Sequence, residues 1–364
     1  MPATSPIHLV VLFGGRSAEH DISRVSAFNV LRSVDRDRYD VTPIGIERDG
    51  TWRRCSDNTA NADATAIEID GDAVNPFDVL KSPGTVVFPV LHGPNGEDGT
   101  MQGLLEVVGV PYVGSGVLGS AVSMDKAMAK TVLGAHQIAQ PHWRSIQRYQ
   151  VDQPDFDQML DAIVDELGEE LFVKPANMGS SIGVSKANGA TELRSAIDMA
   201  LNYDDIVIIE EAVTAREIEI AVLGNEELSL GSIGEVRPAA DFYDYEDKYS
   251  DGVADVVIPA VLSPAIEAAV RETAVAAYRA LRAEGLARVD LFVNEDHPEP
   301  SRRVMVNEIN TLPGFTQISV YPQSWEHAGV SHSDLIDKLV DLALQRHQRM
   351  SAHHVDVIST RDDQ

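Results

Sequence analysis

The sequence predicts an α/β protein of more than one domain, and three features carry that prediction. Short apolar runs end in glycine-rich turns and lead into segments of helical periodicity, twice in the first third of the chain. Later segments alternate apolar and polar residues as half-exposed strands do. The length, 364 residues, exceeds what one hydrophobic core usually supports, so two or three domains are expected.

The first apolar run, Ile7 to Phe13, ends in Gly14-Gly15, and Ala27, Val30, Leu31 and Val34 follow at helical spacing. The same unit recurs as the run Val86 to Leu91, the loop HGPNGEDG, and a helix on Met101, Leu104, Leu105 and Val108. Strands alternating with helices predict a parallel sheet, with ligands at the carboxyl ends of its strands. A second block begins near Met124 with a helix, two short strand-like runs, and a helix on Phe156, Met159, Leu160, Ile163 and Leu167. The apolar run LFVKPA, the loop NMGSSIG and the run DIVIIEEAV complete it. A third block opens near Thr214 with EIEIAVLG, and its long helix should start at Ser263 and Pro264 and close near Gly285. The strands ARVDLFV and VMVNEIN and a helix on Ile336, Leu339, Val340 and Ala343 follow. We therefore expect domains at residues 1–123, 124–213 and 214–350 and a polar, mobile tail at 351–364.

Charge and cysteine content exclude several functions. With 57 acidic and 29 basic residues the formal net charge is −28, and no basic stripe suits nucleic acid. The single cysteine, Cys55, excludes an intrachain disulfide and a cysteine-rich zinc site. No basic segment precedes the first apolar run, which is too short to span a membrane. A cytoplasmic protein without membrane partners is expected.

The segment VMVNEINTLPGF suggests chemistry. Strand alternation predicts Glu308 and Asn310 on one face with Val304 and Val306. If ARVDLFV pairs with it as a hairpin turning near Glu299, Asp290 lies opposite Glu308, about 5 Å away between Cβ atoms. Two carboxylates and an amide suit Mg²⁺, which is usually held together with substrate phosphates and so implies a nucleotide. The alternative is a carboxylate pair satisfied by Arg288 and lysines. In VKPANMGSSIGVSK, Lys174 ends a strand and the Gly179 to Gly183 loop follows. Such a loop can fold its N–H groups over anionic oxygens, or be only a tight hairpin. GSGVLG, Gly114 to Gly119, matches a dinucleotide fingerprint, but helical sequence fills the interval where an acidic strand end is needed, and an ordinary interdomain turn is the simpler reading. IIEEAVTARE clusters Glu210, Glu211 and Glu217; DFYDYEDKYSDG has the composition of a lid; His92 and Glu19 sit on the first-domain loops.

Together these stretches resemble the D-alanine–D-alanine ligase family of the ATP-grasp superfamily. The resemblance runs in order through VVLFGGRSAEHDIS, VLHGPNGEDGTMQG, SMDKAMAK, VKPANMGSSIGVSK, DFYDYEDKYSDG, ARVDLFV and NEINTLPGFTQISVYP. It implies an N-terminal Rossmann-like domain followed by a two-domain ATP-grasp fold holding ATP between two sheets. Lys126, Lys174 and Ser181 of the glycine-serine loop would contact ATP phosphates. Glu210, Ala212 and Val213 would line the adenine site, and Glu217 the ribose. Asp290, Glu308 and Asn310 would bind two Mg²⁺ ions, with Mn²⁺ as the substitute.

The implied reaction phosphorylates one D-alanine carboxylate, and the amine of a second D-alanine then displaces phosphate. Arg288 and the backbone N–H of Gly314 would stabilise the oxyanion. Glu19 would hold the first substrate's ammonium, linked through Ser180 to Tyr249 on the lid, with His92 nearby. Ser319 and Lys248 would receive the second carboxylate. Val320 stands where a larger Leu or Met is expected, which bears on discrimination between D-alanine and D-serine. A homodimer is also implied. The rivals are a carboxylate–amine ligase with another acceptor, separable by testing D-amino acids against D-lactate; a non-catalytic nucleotide-binding regulator, which has no need of Arg288 beside three metal ligands; and a nicotinamide dehydrogenase, which would show as an absorbance change with NADH.

Overall fold

The computed structural model describes residues 6–238 and 254–352. Three sheets and ten α-helices form a mixed α/β architecture among these residues. In the first block β1 (Ile7–Gly14), α1 (His20–Ser33), β2 (Tyr39–Ile46), β3 (Trp52–Arg54), β4 (Asp72–Ala73), α2 (Pro76–Leu80), β5 (Thr85–Val90), α3 (Thr100–Val108) and α4 (Val117–Met124) follow one another. The sheet order is β4-β3-β2-β1-β5, with β1 parallel to both β2 and β5. Strand β1 reads as an unbroken apolar run because both of its faces are covered. Leu9, Val11 and Phe13 join the core under α1, while Val10 and Leu12 join a second core with Leu105 of α3.

The second block contains α5 (Lys126–Ala135), β6 (Trp143–Gln147), α6 (Phe156–Leu167), β7 (Glu170–Pro175), β8 (Ser185–Asn188), α7 (Gly189–Ala200) and β9 (Ile206–Glu211). Its sheet, β6-β9-β7-β8, is antiparallel throughout. One strand rather than two lies between α5 and α6. The other apolar stretch belongs to the third block: Ile138 packs into that block's core, and the Ala139 carbonyl accepts from the Val306 N–H at 2.8 Å.

The third block contains β10 (Arg216–Gly224), β11 (Ser229–Pro238), β12 (Ala254–Val257), α8 (Pro264–Ala280), β13 (Gly285–Val293), β14 (Val304–Asn310), α9 (Val320–His327) and α10 (His332–Ser351). The order β12-β11-β10-β13-β14 is antiparallel, and Val270, Ala274 and Ala277 of α8 cover one face. Ser263 and Pro264 open α8 as the sequence indicates, but the helix stops at Ala280. Arg282 turns into the left-handed region at φ 56°, which ends the helix early, and Gly285 instead begins β13. Helix α10 crosses back to the first block, where Leu335, Ile336, Leu339 and Val340 share the core of α1. The Gly114 to Gly119 segment is a packing turn. Gly114, at φ 103°, sits against Leu312 and Leu286 of the third block, and Gly116 precedes α4.

Candidate active site

The site is built on the sheet face that α8 leaves uncovered. Alternation along β13 sends Val289, Leu291 and Val293 into the core and Arg288 and Asp290 to the opposite face. The register pairs Asp290 with Glu308 and Arg288 with Asn310, as the hairpin reading requires. One expectation fails. Glu308 and Asn310 do not share a face with Val304 and Val306, because the register shifts by one residue between Asp290 and Leu291. This β-bulge leaves Asn307 as the extra residue, and a bulge reverses the side-chain alternation beyond it. Val304, Val306 and Ile309 all enter the core, while Asn307, Glu308 and Asn310 all line the cleft. The bulge lets a strand buried at its start offer polar groups at its end.

Two adjoining cavities occupy this cleft. The smaller, about 170 Å³, lies where the first block meets the third; the larger, about 390 Å³, lies between the sheets of the second and third blocks. They share Lys126, Met178, Gly179, Ser180, Glu217, Asn307 and Glu308.

In the smaller cavity the Arg288 guanidinium donates twice to Asp290, from Nε and Nη2, each at 2.7 Å, and its Nε lies 3.0 Å from Glu219. Lys126 Nζ lies 3.6 Å from Glu308 and donates to the Met178 carbonyl at 2.6 Å. The carboxylates are thus satisfied by Arg288 and a lysine, the alternative arrangement foreseen from sequence. The Ser180 hydroxyl donates to Glu19. Ser180 and Ser181 both hold left-handed backbones, φ 50° and 57°, an arrangement that costs energy outside glycine. At Gly179 a Cβ would sit 2.8 Å from Glu19 Oε2, so any larger residue would displace the Glu19 carboxylate.

His92 is buried, and its two ring nitrogens have different partners. Nδ1 faces the Leu312 carbonyl at 3.1 Å and must carry the proton, so Nε2 accepts from the Ser26 hydroxyl at 3.0 Å. Ser26 Oγ in turn accepts from the Phe315 N–H at 3.2 Å. Burial lowers the His92 pKa and keeps the ring neutral. His92 therefore fixes the Leu312 to Phe315 segment, on which Gly314 lies. Gly314 approaches Ser319 so closely that a Cβ would be 2.8 Å from its Oγ, which accepts from the Thr316 N–H at 3.0 Å. Val320, buried at the start of α9, also lines this cavity.

The larger cavity is lined by Lys174, Ser181, Glu210, Val213 and Glu217. Glu210 Oε2 lies 2.7 Å from Lys174 Nζ, and Oε1 lies 2.7 Å from the buried Nζ of Lys130. Although burial opposes ionisation, these two ammonium groups hold the Glu210 pKa at about 2. Lys174 also donates to Asn307 Oδ1 at 3.4 Å. Ala212 is not among the lining residues, and its N–H is used by the Glu170 carbonyl at 3.0 Å. Lys248 and Tyr249 lie outside the described residues.

Sequence reasoning passed over three residues that line the cleft, Glu97, Glu219 and Asn307, and a fourth, Lys130, that is buried against Glu210. Glu219 alternates with Glu217 on β10, a signal already present in EIEIAVLG. Glu97 lies in the quoted HGPNGEDG loop, where its Oε1 accepts from the Gly93 N–H at 2.7 Å. Burial first, and the nearby Glu19 charge second, push its pKa well above the ordinary carboxylate value, which favours the protonated acid. The bulge at Asn307 has no simple sequence signal.

No cluster of three or more His, Cys, Asp or Glu side chains arranged for a metal occurs among the described residues. Asp290, Glu308 and Asn310 nevertheless place hard oxygen donors on adjacent strands, a set that fits Mg²⁺ once Asp290 gives up one bond to Arg288. No helix among these residues is long and apolar enough to cross a membrane.

Fold and site together define a mixed α/β protein whose cleft joins a lysine-lined end, suited to phosphates, to a carboxylate-rich end around one arginine. Residues 8–115 match the family model described as D-ala D-ala ligase N-terminus, and residues 132–341 match the one described as D-ala D-ala ligase C-terminus. The chain is 43% identical over 357 residues to a D-alanine–D-alanine ligase of Bacillus pumilus, covering 94% of this chain and 97% of the relative. Among solved structures, the VanG D-Ala:D-Ser ligase of Enterococcus faecalis superposes with a TM-score of 0.76 at 33% identity, covering 93% of this chain and all (100%) of that one. The D-alanine–D-alanine ligase of Bacillus anthracis complexed with ATP gives 0.73 at 28% identity, covering 95% and 100%. The chain belongs to the D-alanine–D-alanine ligase family.

Proposed function

We propose that the protein joins two D-alanine molecules into D-alanyl-D-alanine, consuming ATP through an acyl phosphate, to supply peptidoglycan precursors. The observation that carries this reading is the continuity of the two cavities through Lys126, Ser180 and Glu308. A phosphoryl group held by lysines at one end would lie beside a carboxylate held at the other. Support comes from the family match and from the ATP complex of the Bacillus anthracis neighbour.

A carboxylate oxygen is a poor leaving group, and phosphorylation makes it a good one. ATP would lie in the larger cavity, between the sheets of an ATP-grasp pair, with Lys126, Lys174 and Ser181 toward its phosphates, Val213 toward the base and Glu217 toward the ribose. Glu210 serves there through the lysines it grips. Asp290, Glu308 and Asn310 would hold two Mg²⁺ or Mn²⁺ ions, which would offset charge on the transferring phosphoryl group. The first D-alanine would place its ammonium on Glu19, itself oriented by Ser180. The amine of the second would attack the acyl phosphate, and Arg288 with the Gly314 N–H would stabilise the oxyanion before phosphate departs. Ser319 and Lys248 would take the second carboxylate, and Tyr249 would join the Glu19–Ser180 pair.

The remaining proposals follow the same reading. The first block is a Rossmann-like substrate domain at 1–123, followed by ATP-grasp domains at 124–213 and 214–350, in a cytoplasmic homodimer. D-Serine as second substrate is a competing reading, because a D-Ala:D-Ser ligase superposes on the chain and Val320 leaves a small side chain at the acceptor end.

The test is ATP-dependent phosphate release with Mg²⁺ and D-alanine, with L-alanine and no amino acid as controls and product mass read in parallel. Release with D-alanine alone, together with the dipeptide mass, is expected. Release only with D-serine added would establish the mixed product, and release with neither would overturn the assignment.

A further inference from the structure

Lys130 has no place in the chemistry above, yet it is a fully buried ammonium. Its side chain is 2% exposed, as Glu210 is 3% exposed, and its Nζ lies 2.7 Å from Glu210 Oε1. It stands one helical turn beyond Lys126 on α5, so one helix face carries both lysines, Lys126 to the cleft and Lys130 to the buried side of Glu210. The other oxygen of Glu210 is engaged by Lys174 at the same distance, 2.7 Å. A buried carboxylate needs only one ammonium for charge balance. The second is unfavourable in itself, since burial lowers the Lys130 pKa.

We propose that Lys130 is a positioning residue that offsets the charge of Glu210, so that Lys174 keeps a net positive charge for a nucleotide phosphate in the larger cavity. With Lys130 in place, two ammonium groups and one carboxylate leave one net positive charge beside that cavity. Without it, Lys174 and Glu210 form a neutral pair, and Glu210 is free to draw Lys174 away from Asn307 and Glu308 at the shared wall. The fixed Glu210 thus sets where the Lys174 charge sits. This inference rests on the reading that a nucleotide places its phosphates beside Lys174.

The test measures ADP and adenosine binding by calorimetry, in Mg²⁺ at fixed salt, on the full chain and its variants. Lys174→Met should weaken ADP and spare adenosine, which checks the underlying reading. Lys130→Met should weaken ADP about tenfold and spare adenosine, and should raise KM for ATP more than it lowers kcat. Lys130→Arg should restore binding. Adding Glu210→Gln to Lys130→Met removes the carboxylate that Lys130 balanced, so the double variant should recover most of the lost ADP affinity. If Lys130→Met fails to fold, Lys130→Gln, which keeps a polar contact to Glu210 without the charge, decides by the same comparison of ADP with adenosine. Equal losses for ADP and adenosine in Lys130→Met or Lys130→Gln, or no recovery in the double variant, would each overturn the proposal while leaving the phosphate placement standing. Unchanged ADP binding in Lys174→Met would overturn the placement itself, and the proposal with it.

Discussion

The two cavities share a wall and solve opposite problems of buried charge. Around the smaller one Glu19, Glu97, Glu219 and Asp290 gather about a single arginine. Repulsion is relieved there in two ways: Arg288 reaches both Asp290 and Glu219, and the raised Glu97 pKa favours its neutral form. At the larger one Lys126 and Lys174 line the wall while Lys130 lies buried behind Glu210, which offsets Lys130 and Lys174 without losing its own charge. One end is therefore suited to an ammonium and a carboxyl group of modest charge, the other to a polyanion. A reaction that moves a phosphoryl group from a nucleotide to an amino acid needs that gradient.

The most severe way to break the comparison is to alter the shared wall. Glu308→Gln keeps the shape of β14 while removing the carboxylate that faces both Lys126 and the opposed Asp290. We expect turnover to fall by at least about a thousandfold, the order that losing charge stabilisation of a phosphoryl transition state implies. The melting temperature should stay within a few degrees. Steady-state phosphate release beside thermal denaturation checks this, and turnover near the unaltered level would remove Glu308 from the metal-binding set.

How far such a site can be read from sequence depends on the element. Strand β1 and its glycine turn were legible because burial on both faces leaves an unbroken apolar run. The opposition of Asp290 and Glu308 was legible because two alternating strands lie a short loop apart. The bulge at Asn307 was not, since nothing in VMVNEIN says which residue is the extra one. Glu97 and Lys130 were missed for another reason. A carboxyl in a polar loop and a lysine on a helix look like solvated surface until the fold buries them. The Gly114 to Gly119 match shows the converse, a pattern with a chemical precedent that the fold uses as a packing turn.

A gentler probe uses pH, because the two ends should respond with opposite sign. The Glu97 pKa is raised in the folded protein, so above about pH 4.3, where the unfolded carboxyl ionises, unfolding releases a proton that the native state retains. Stability then declines as pH rises, until Glu97 itself ionises. Glu210 behaves in the reverse sense. Its folded pKa of about 2 gives stability that is complete above the unfolded value and lost as pH falls through the folded one. Glu97→Gln keeps the acceptor for the Gly93 N–H and cannot ionise. Its melting temperature should pull ahead of the unaltered protein's as pH rises from about 4, and a constant gap across pH would mean that Glu97 is charged in the folded state.

Solution salt should shift the whole comparison by less. A chain of net charge −28 repels itself, and the Debye length shrinks from roughly 10 Å at 0.1 M salt to about 3 Å at 1 M. We expect the melting temperature to rise by a few degrees over that range, whereas Lys130–Glu210, buried from solvent, should be little screened. A fall in melting temperature with KCl would show that surface ion pairs, such as Arg38 with Asp337 and Asp341, outweigh the repulsion.

The smallest expected effect lies at the acceptor end of the smaller cavity. Val320 is 7% exposed, and its Cγ1 stands 3.0 Å from where a Cβ on Gly234 would be, so it is packed against β11 on one side and faces the cavity on the other. Val320→Leu adds one methylene, and the packed side directs it toward the cavity. D-Serine differs from D-alanine by one hydroxyl, and a hydrophobic wall discriminates by only about 1–3 kcal/mol for a group of that size. The ratio of kcat/KM for D-alanine over D-serine as second substrate should therefore rise by about tenfold, toward the lower end of that range, with first-substrate KM unchanged because Glu19 and Ser180 are untouched. A ratio that stays constant would place acceptor choice elsewhere in the cleft, whereas a rise in the first-substrate KM would show that Val320 borders both amino-acid positions.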